Sequence, residues 1–206
     1  MRALILLDIQ NDFLPGGALA VPDGDAVIPV ANRIQPLFPL VVATQDWHPP
    51  NHGSFAANHR GKKVFEQIEL NGLPQTLWPV HCVEHTPGAE LARDLKRDRM
   101  AKVFHKATDP GIDSYSGFFD NGHQRATGMG EWLKQKGVTE VYVGGLATDY
   151  CVKFTALDAV GLGFRTHVIE DACRGINLRP TDVEQALKEI KAGGVDILSS
   201  ADLPKP

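Results

Sequence analysis

"EVYVGGLATDYCVKFTALDAVGLG", residues 140–163, decides the fold. Its opening, "EVYVGG" (140–145), is an apolar run halted by glycines, the pattern of a strand buried on both faces. From "CVKF" onward the apolar spacing becomes helix-like. If Thr148 caps that helix, Cys151 is its third residue, in the first turn. Taken alone, the thiol reads first as a small buried residue between helix and sheet, because free cysteine is among the most buried residue types. The alternative is a nucleophile, its thiolate favoured by the helix dipole and its N–H among the unpaired donors of the first turn.

Outward from this unit, the same alternation recurs. "ALILLDI", "LVVATQD" (40–46), "AKVFHK" (101–106), "FRTHVIED" (164–171) and "VDILSS" (195–200) read as strands. Helical patterns fall near 25–36, 88–97, 128–136, 149–160 and 181–192, the last opening on the Pro-Thr-Asp of "RPTDVEQAL". Strands alternating with helices at this spacing predict a three-layer α/β/α domain, Rossmann-like, around a mostly parallel six-stranded sheet. The 206 residues are expected to form a single domain over 1–206, with an insertion at about 46–87. That insertion holds five of the eight histidines and no clear periodicity, and so long a loop in a compact domain points to function.

Composition excludes several classes. Hydrophobic content of 43% and charged content of 22% are ordinary for a soluble domain, and a net charge of -4 offers no basic surface for nucleic acid. No stretch has the length and apolarity of a membrane span. The N-terminal apolar run is broken by Asp8 and followed by no small-residue cleavage site, so it reads as a first strand rather than a signal peptide. Cys82, Cys151 and Cys173 show no CxxC spacing, which argues against a disulfide framework or a cysteine zinc site and for a reducing, cytoplasmic setting.

In an open parallel sheet, ligands bind beyond the carboxyl ends of the strands. Asp8, Asp46 and Lys106 end the first three strand patterns, and Cys151 follows the fourth. Asp8 would take the thiol proton and pass it to a leaving amine, while Lys106 holds Asp8 and favours the thiolate. Each also has an ordinary reading, as a loop-capping carboxylate or a solvated strand-end lysine. In "TQDWHPPNHGSF", Asp46 and His48 are two apart on an extended segment, so they share a face that Trp47 does not. With His81 of "LWPVHC" they suit one borderline divalent ion, such as zinc, manganese or iron. His52 is a possible fourth ligand or a supporting group. His59, His85 and His123 read as surface histidines.

Together, "LLDIQNDFLPGGALAV", "TQDWHPPNHGSFA", "GLPQTLWPVHCV", "FHKATDPGIDSYSGFFDN" and "GGLATDYCVKFTALDA" resemble the bacterial nicotinamidase family within the isochorismatase-like hydrolases. The resemblance implies Asp8, Lys106 and Cys151 as catalytic groups and Asp46, His48 and His81 as ligands of one metal ion, zinc before iron or manganese. It implies that Phe13 and Trp78 sandwich a pyridine ring with Tyr115 nearby, although all three also suit an ordinary core. It further implies a cis peptide before Ala147 that aims the Ala147 and Cys151 N–H groups at an oxyanion. The implied activity is hydrolysis of nicotinamide, and of pyrazinamide, through a thioester in NAD salvage. A homo-oligomer is left open. The alternatives are a related cysteine amidase with another amide or ureido substrate, and a metal- or ligand-binding module without turnover.

Overall fold

A computed structural model describes residues 1–203. Its centre is a sheet of six parallel strands: β1 (Arg2–Leu7), β2 (Leu40–Asp46), β5 (Met100–Lys106), β6 (Glu140–Leu146), β7 (Arg165–Arg174) and β8 (Asp196–Leu198). Their order across the sheet is β5-β2-β1-β6-β7-β8. All six expected strands are present. Alternate residues of β1 feed opposite faces: Leu4 and Leu6 join one apolar cluster, while Ala3, Ile5 and Leu7 join another. That is why the strand is apolar almost throughout.

The helices are α1 (Val27–Ile34), α2 (Met129–Gln135), α3 (Lys153–Gly161) and α4 (Asp182–Ala192). Val27, Ala31 and Ile34 of α1 enter the first cluster, and Met129, Leu133, Ala156, Ala159 and Ile190 of the other three enter the second. These are the two outer layers. Among the described residues, no helix is long and apolar enough to cross a membrane.

Three local expectations are corrected. The segment 88–97 is not a helix, although its buried Leu91, Ala92 and Leu95 have helical spacing. Its backbone pairs instead with the chain after β1, through Asn11 N–H to Glu90 O (3.0 Å) and Ala92 N–H to Ile9 O (2.8 Å), leaving only a 3₁₀ turn at Pro87–Ala89. The region 46–87 carries an antiparallel hairpin, β3 (Gln67–Leu70) and β4 (Leu73–Thr76). It turns on Asn71 and Gly72, both at positive φ (50° and 85°), a turn signal that the surrounding irregular composition masks. Finally, the cap after β6 is Ala147 rather than Thr148, and a π-helical turn, Thr148–Val152, precedes α3.

The sheet changes direction between β1 and β6: from β1 the chain winds outward through β2 to β5, then returns to the other side of β1. The crevice at their carboxyl ends is the expected ligand position. Close approach there demands Gly145, which has φ of 127° and whose added Cβ would lie 2.1 Å from the Leu7 carbonyl oxygen. Gly145→Ala combines a disfavoured φ with a backbone overlap. We expect it to cost about 3 kcal/mol or more, seen as a drop of roughly 6–12 °C in the thermal midpoint.

Candidate active site

Four strand ends deliver the chemistry. Asp8 follows β1 at φ 49° and is fully buried; its Oδ1 accepts the Thr44 hydroxyl proton at 2.6 Å. Lys106 ends β5 and is also buried. Its Nζ donates to the Ser114 carbonyl (2.8 Å), pairs with Asp8 Oδ2 (3.1 Å) and with Asp46 Oδ1, and lies 3.5 Å from Cys151 Sγ. One ammonium therefore touches both carboxylates and the thiol.

Burial pushes the Cys151 thiol up, against the pull of Lys106, and Asp8 and Asp46 add to the rise. The expectation of a thiolate favoured by the helix start thus meets an opposing effect, the desolvation of the thiol. Burial likewise raises Asp8, with Lys106 opposing. For Lys106, burial works against the charge, but the two carboxylates win and hold it well above the usual lysine range. One ammonium thus lies beside a thiol whose ionisation burial disfavours and beside the Asp8 carboxyl group, 3.1 Å away.

Around Cys151 the backbone takes an unusual course. The Leu146–Ala147 peptide is cis, as the resemblance implies. The Ala147 carbonyl accepts from the N–H groups of Tyr150 and Val152, both at 3.1 Å, passing over that of Cys151 between them. Ala147 and Cys151 line the same cavity.

Asp46, His48 and His81 come together: one donor atom from each lies within 4.8 Å of the other two. Several details fit a cation. Asp46 Oδ1 is held by Lys106, leaving Oδ2 turned to His81 Nε2 at 3.9 Å. His81 Nδ1 lies 2.8 Å from the Pro79 carbonyl, which fixes the proton there and leaves Nε2 as the free lone pair. Burial and the neighbouring His48 pull His81 down to about 4, so its ring is neutral. His48 Nδ1 is buried without a hydrogen-bond partner. Trp47, between the two donors, turns away and stacks on His105 at 4.3 Å.

His52 lies beside His48, with ring centroids 4.5 Å apart, and its Nε2 is buried without a hydrogen-bond partner. It is buried, its Nδ1 accepts the Ser54 N–H (3.2 Å) and lies 2.7 Å from Ser54 Oγ, and it groups with His48 and Asp113. Asp113 has no forerunner in the sequence analysis. It faces His48 Nε2 at 3.6 Å, while its oxygens accept from Ser114 N–H (2.8 Å) and Gln75 Nε2 (2.9 Å). Burial opposes its charge, but His48, His52 and Lys106 hold it well below the usual carboxylate range. Of the histidines read as surface groups, His85 and His123 are exposed, and His59 is half-buried with Nε2 2.7 Å from the Gly53 carbonyl.

A cavity joins thiol and metal donors. Phe13, Trp78 and Tyr115 line it, with Leu19, Tyr150 and Ile176, which sequence patterns did not single out. Phe13 meets the His81 ring edge-on at 5.5 Å, and Trp78 meets Tyr150 at 4.8 Å. The Tyr115 hydroxyl lies 3.3 Å from Trp78 Nε1 and from Gln75 Nε2 of β4, so the unexpected hairpin braces the aromatic wall. Asp149 accepts the N–H groups of Ile176 (3.0 Å) and Asn177 (2.7 Å), fixing the far wall. Its place in the first turn after β6 was the one signal that could have flagged it.

The isochorismatase domain model matches residues 2–202. The chain is 51% identical to the nicotinamidase of Escherichia coli over 205 residues, covering 98% of this chain and 96% of that protein. A solved nicotinamidase/pyrazinamidase from Acinetobacter baumanii superposes with a TM-score of 0.96 at 49% identity, covering 98% of each chain. A pyrazinamidase from Pyrococcus horikoshii, solved in complex with zinc, gives 0.77 at 41% identity, covering 96% of this chain and 98% of that one. A match that runs from the first strand to the last described turn, shared with a full-length relative at this identity, makes the chain a member of the isochorismatase family.

Proposed function

We propose that this chain is a metal-dependent cysteine amidase that hydrolyses nicotinamide to nicotinate and ammonia, and accepts pyrazinamide. The observation that carries this reading is the single cavity bounded by Cys151, by the Asp46-His48-His81 donor set and by an aromatic wall. The similarity to nicotinamidases and pyrazinamidases supports the substrate class.

Asp46, His48 and His81 would hold the divalent ion, and the zinc of the Pyrococcus relative supports zinc as its identity. Bound there, the ion supplies an electrophilic anchor for a polar ring atom. Phe13, Trp78 and Tyr115 grip the ring and present the carboxamide to Cys151. Asp8 takes the thiol proton as Sγ bonds to the carbonyl carbon, and the N–H groups of Ala147 and Cys151 receive the oxyanion. Asp8 then gives that proton to the nitrogen, the C–N bond breaks and ammonia leaves a thioester. Water adds to the thioester with Asp8 accepting its proton. The C–S bond breaks, nicotinate departs and the proton returns to sulfur. Lys106 keeps Asp8 in its charged form between these transfers.

The test is ammonia release from nicotinamide, pyrazinamide and an aliphatic amide, with metal analysis of the same protein. We expect turnover of both heterocyclic amides, about one metal ion per chain and loss of activity on chelation. Preference for the aliphatic amide would favour another amidase of the family, and unchanged kinetics in metal-free protein would reject the donor set.

A further inference from the structure

The chain after β1 contacts the proposed metal and thiol groups residue by residue. Asp8 meets Lys106, Phe13 enters the cavity, and the side chains of Gln10 and Asp12 turn away from it into the loops that carry the donor set. Gln10 is fully buried. Its Oε1 accepts the backbone N–H of Asp46 at 2.8 Å, and its Nε2 donates to the Asp46 carbonyl and to the Ala89 carbonyl, each at 2.8 Å. One amide therefore satisfies both backbone groups of Asp46 where β2 ends.

Asp12 performs the matching task on the second loop. Its Oδ2 accepts the backbone N–H of Cys82, next to His81, at 2.7 Å, and its Oδ1 accepts that of Ala18 at 3.3 Å. The carboxylate sits where a side chain at position 88 would lie, since a Cβ added to Gly88 would come within 2.1 Å of Oδ2. The clamp extends to the third donor: the Cys82 carbonyl accepts the His48 N–H at 3.0 Å, and the His48 carbonyl accepts the Glu84 N–H at 2.8 Å. The backbones of all three donor residues are thus tied, directly or through one neighbour, to Gln10 and Asp12.

We infer that Gln10 and Asp12 are positioning residues that set the spacing of Asp46, His48 and His81, joining the metal site to the segment that bears Asp8 and Phe13. The inference rests on the metal-dependent reading above. Neither side chain lines the cavity, so neither acts on the substrate. The Gln10 bonds are buried from water, where a lost partner is costly, and the Asp12 bond to Cys82 is partly buried. Groups that orient metal ligands are worth about 10–100-fold in affinity.

The experiment measures zinc affinity of the full chain by competition with a chromophoric chelator. Gln10→Glu points a carboxylate oxygen at two carbonyls, and Asp12→Ala removes both acceptors. We expect zinc binding in each to weaken by about 10–100-fold, with native circular dichroism and with turnover partly restored by added zinc. Asp12→Asn keeps an oxygen for the Cys82 N–H and should bind zinc more like the parent. Zinc affinity is read at a temperature where circular dichroism shows each zinc-free variant fully folded, so that a general loss of stability, which bound zinc would itself offset, does not enter the result. Because the two positions act on different loops, either variant decides if the other does not fold. His81→Ala is the reference. If it loses zinc while folded Gln10→Glu and Asp12→Ala bind it as the parent does, the positioning role is overturned. If His81→Ala itself binds zinc normally, the donor set is wrong and the underlying reading falls first.

Discussion

Cys151→Ala should release no measurable ammonia from nicotinamide, a loss of about 10⁴–10⁶ in kcat by analogy with other nucleophile deletions. In the proposed reaction Sγ bonds to the carbonyl carbon, and among the described residues the other two cysteines are buried outside the cavity. The variant should remain folded and bind nicotinamide within a few-fold of the parent. Burial disfavours ionisation of the thiol, so its removal strands no charge, and Lys106 retains both carboxylates. Mass spectrometry of the parent quenched during turnover should find a nicotinoyl adduct on Cys151, absent from the variant. Turnover by the variant at about 1% of the parent rate or more would move the attacking group elsewhere.

Much of this site could be read from strand ends. Asp8, Asp46 and Lys106 each close an apolar run, and burying a charge there without a partner is too costly to be accidental. Strand ends of one parallel sheet place them at one crevice. What the strand pattern could not provide was their pairing. Lys106 is expected to hold Asp8 and favour the thiolate, and it contacts Asp46 as well, so the proposed thiol and metal groups share one ammonium. Nor could it reveal Asp113 or Ile176, which lie in irregular segments where no periodicity marks a buried face, or Tyr150, which lies in the π-helical turn before α3. The helix expected at 88–97 failed for a related reason: Leu91, Ala92 and Leu95 have helical spacing, but Gln10 and Asn11 recruit that backbone, and long-range pairing overrode local pattern. Likewise the thiol's local context suggests a lowered pKa, which its burial opposes.

The shared ammonium also makes Lys106→Met the most informative charge deletion. Methionine keeps the bulk of the side chain but removes the one cation between Asp8 and Asp46, both buried. Breaking a buried ion pair from one side costs about 3–5 kcal/mol, because the remaining charge is left unpaired. Here two carboxylates face each other, and at least one must take up a proton at neutral pH. If that one is Asp8, it can no longer accept the thiol proton, and general-base loss alone lowers kcat by about 10²–10⁴. Urea denaturation and steady-state rates should therefore fall together. A divalent ion on Asp46 would relieve part of the repulsion, so the stability loss should be larger in chelated protein than in zinc-loaded protein. Adding Asp8→Asn to Lys106→Met removes one stranded charge. The double variant should regain stability over the single one while remaining inactive, since a base is still missing. A Lys106→Met protein as stable and as active as the parent would mean that the ammonium neither holds Asp8 nor serves the thiol, and the proton path through Asp8 would have to be redrawn.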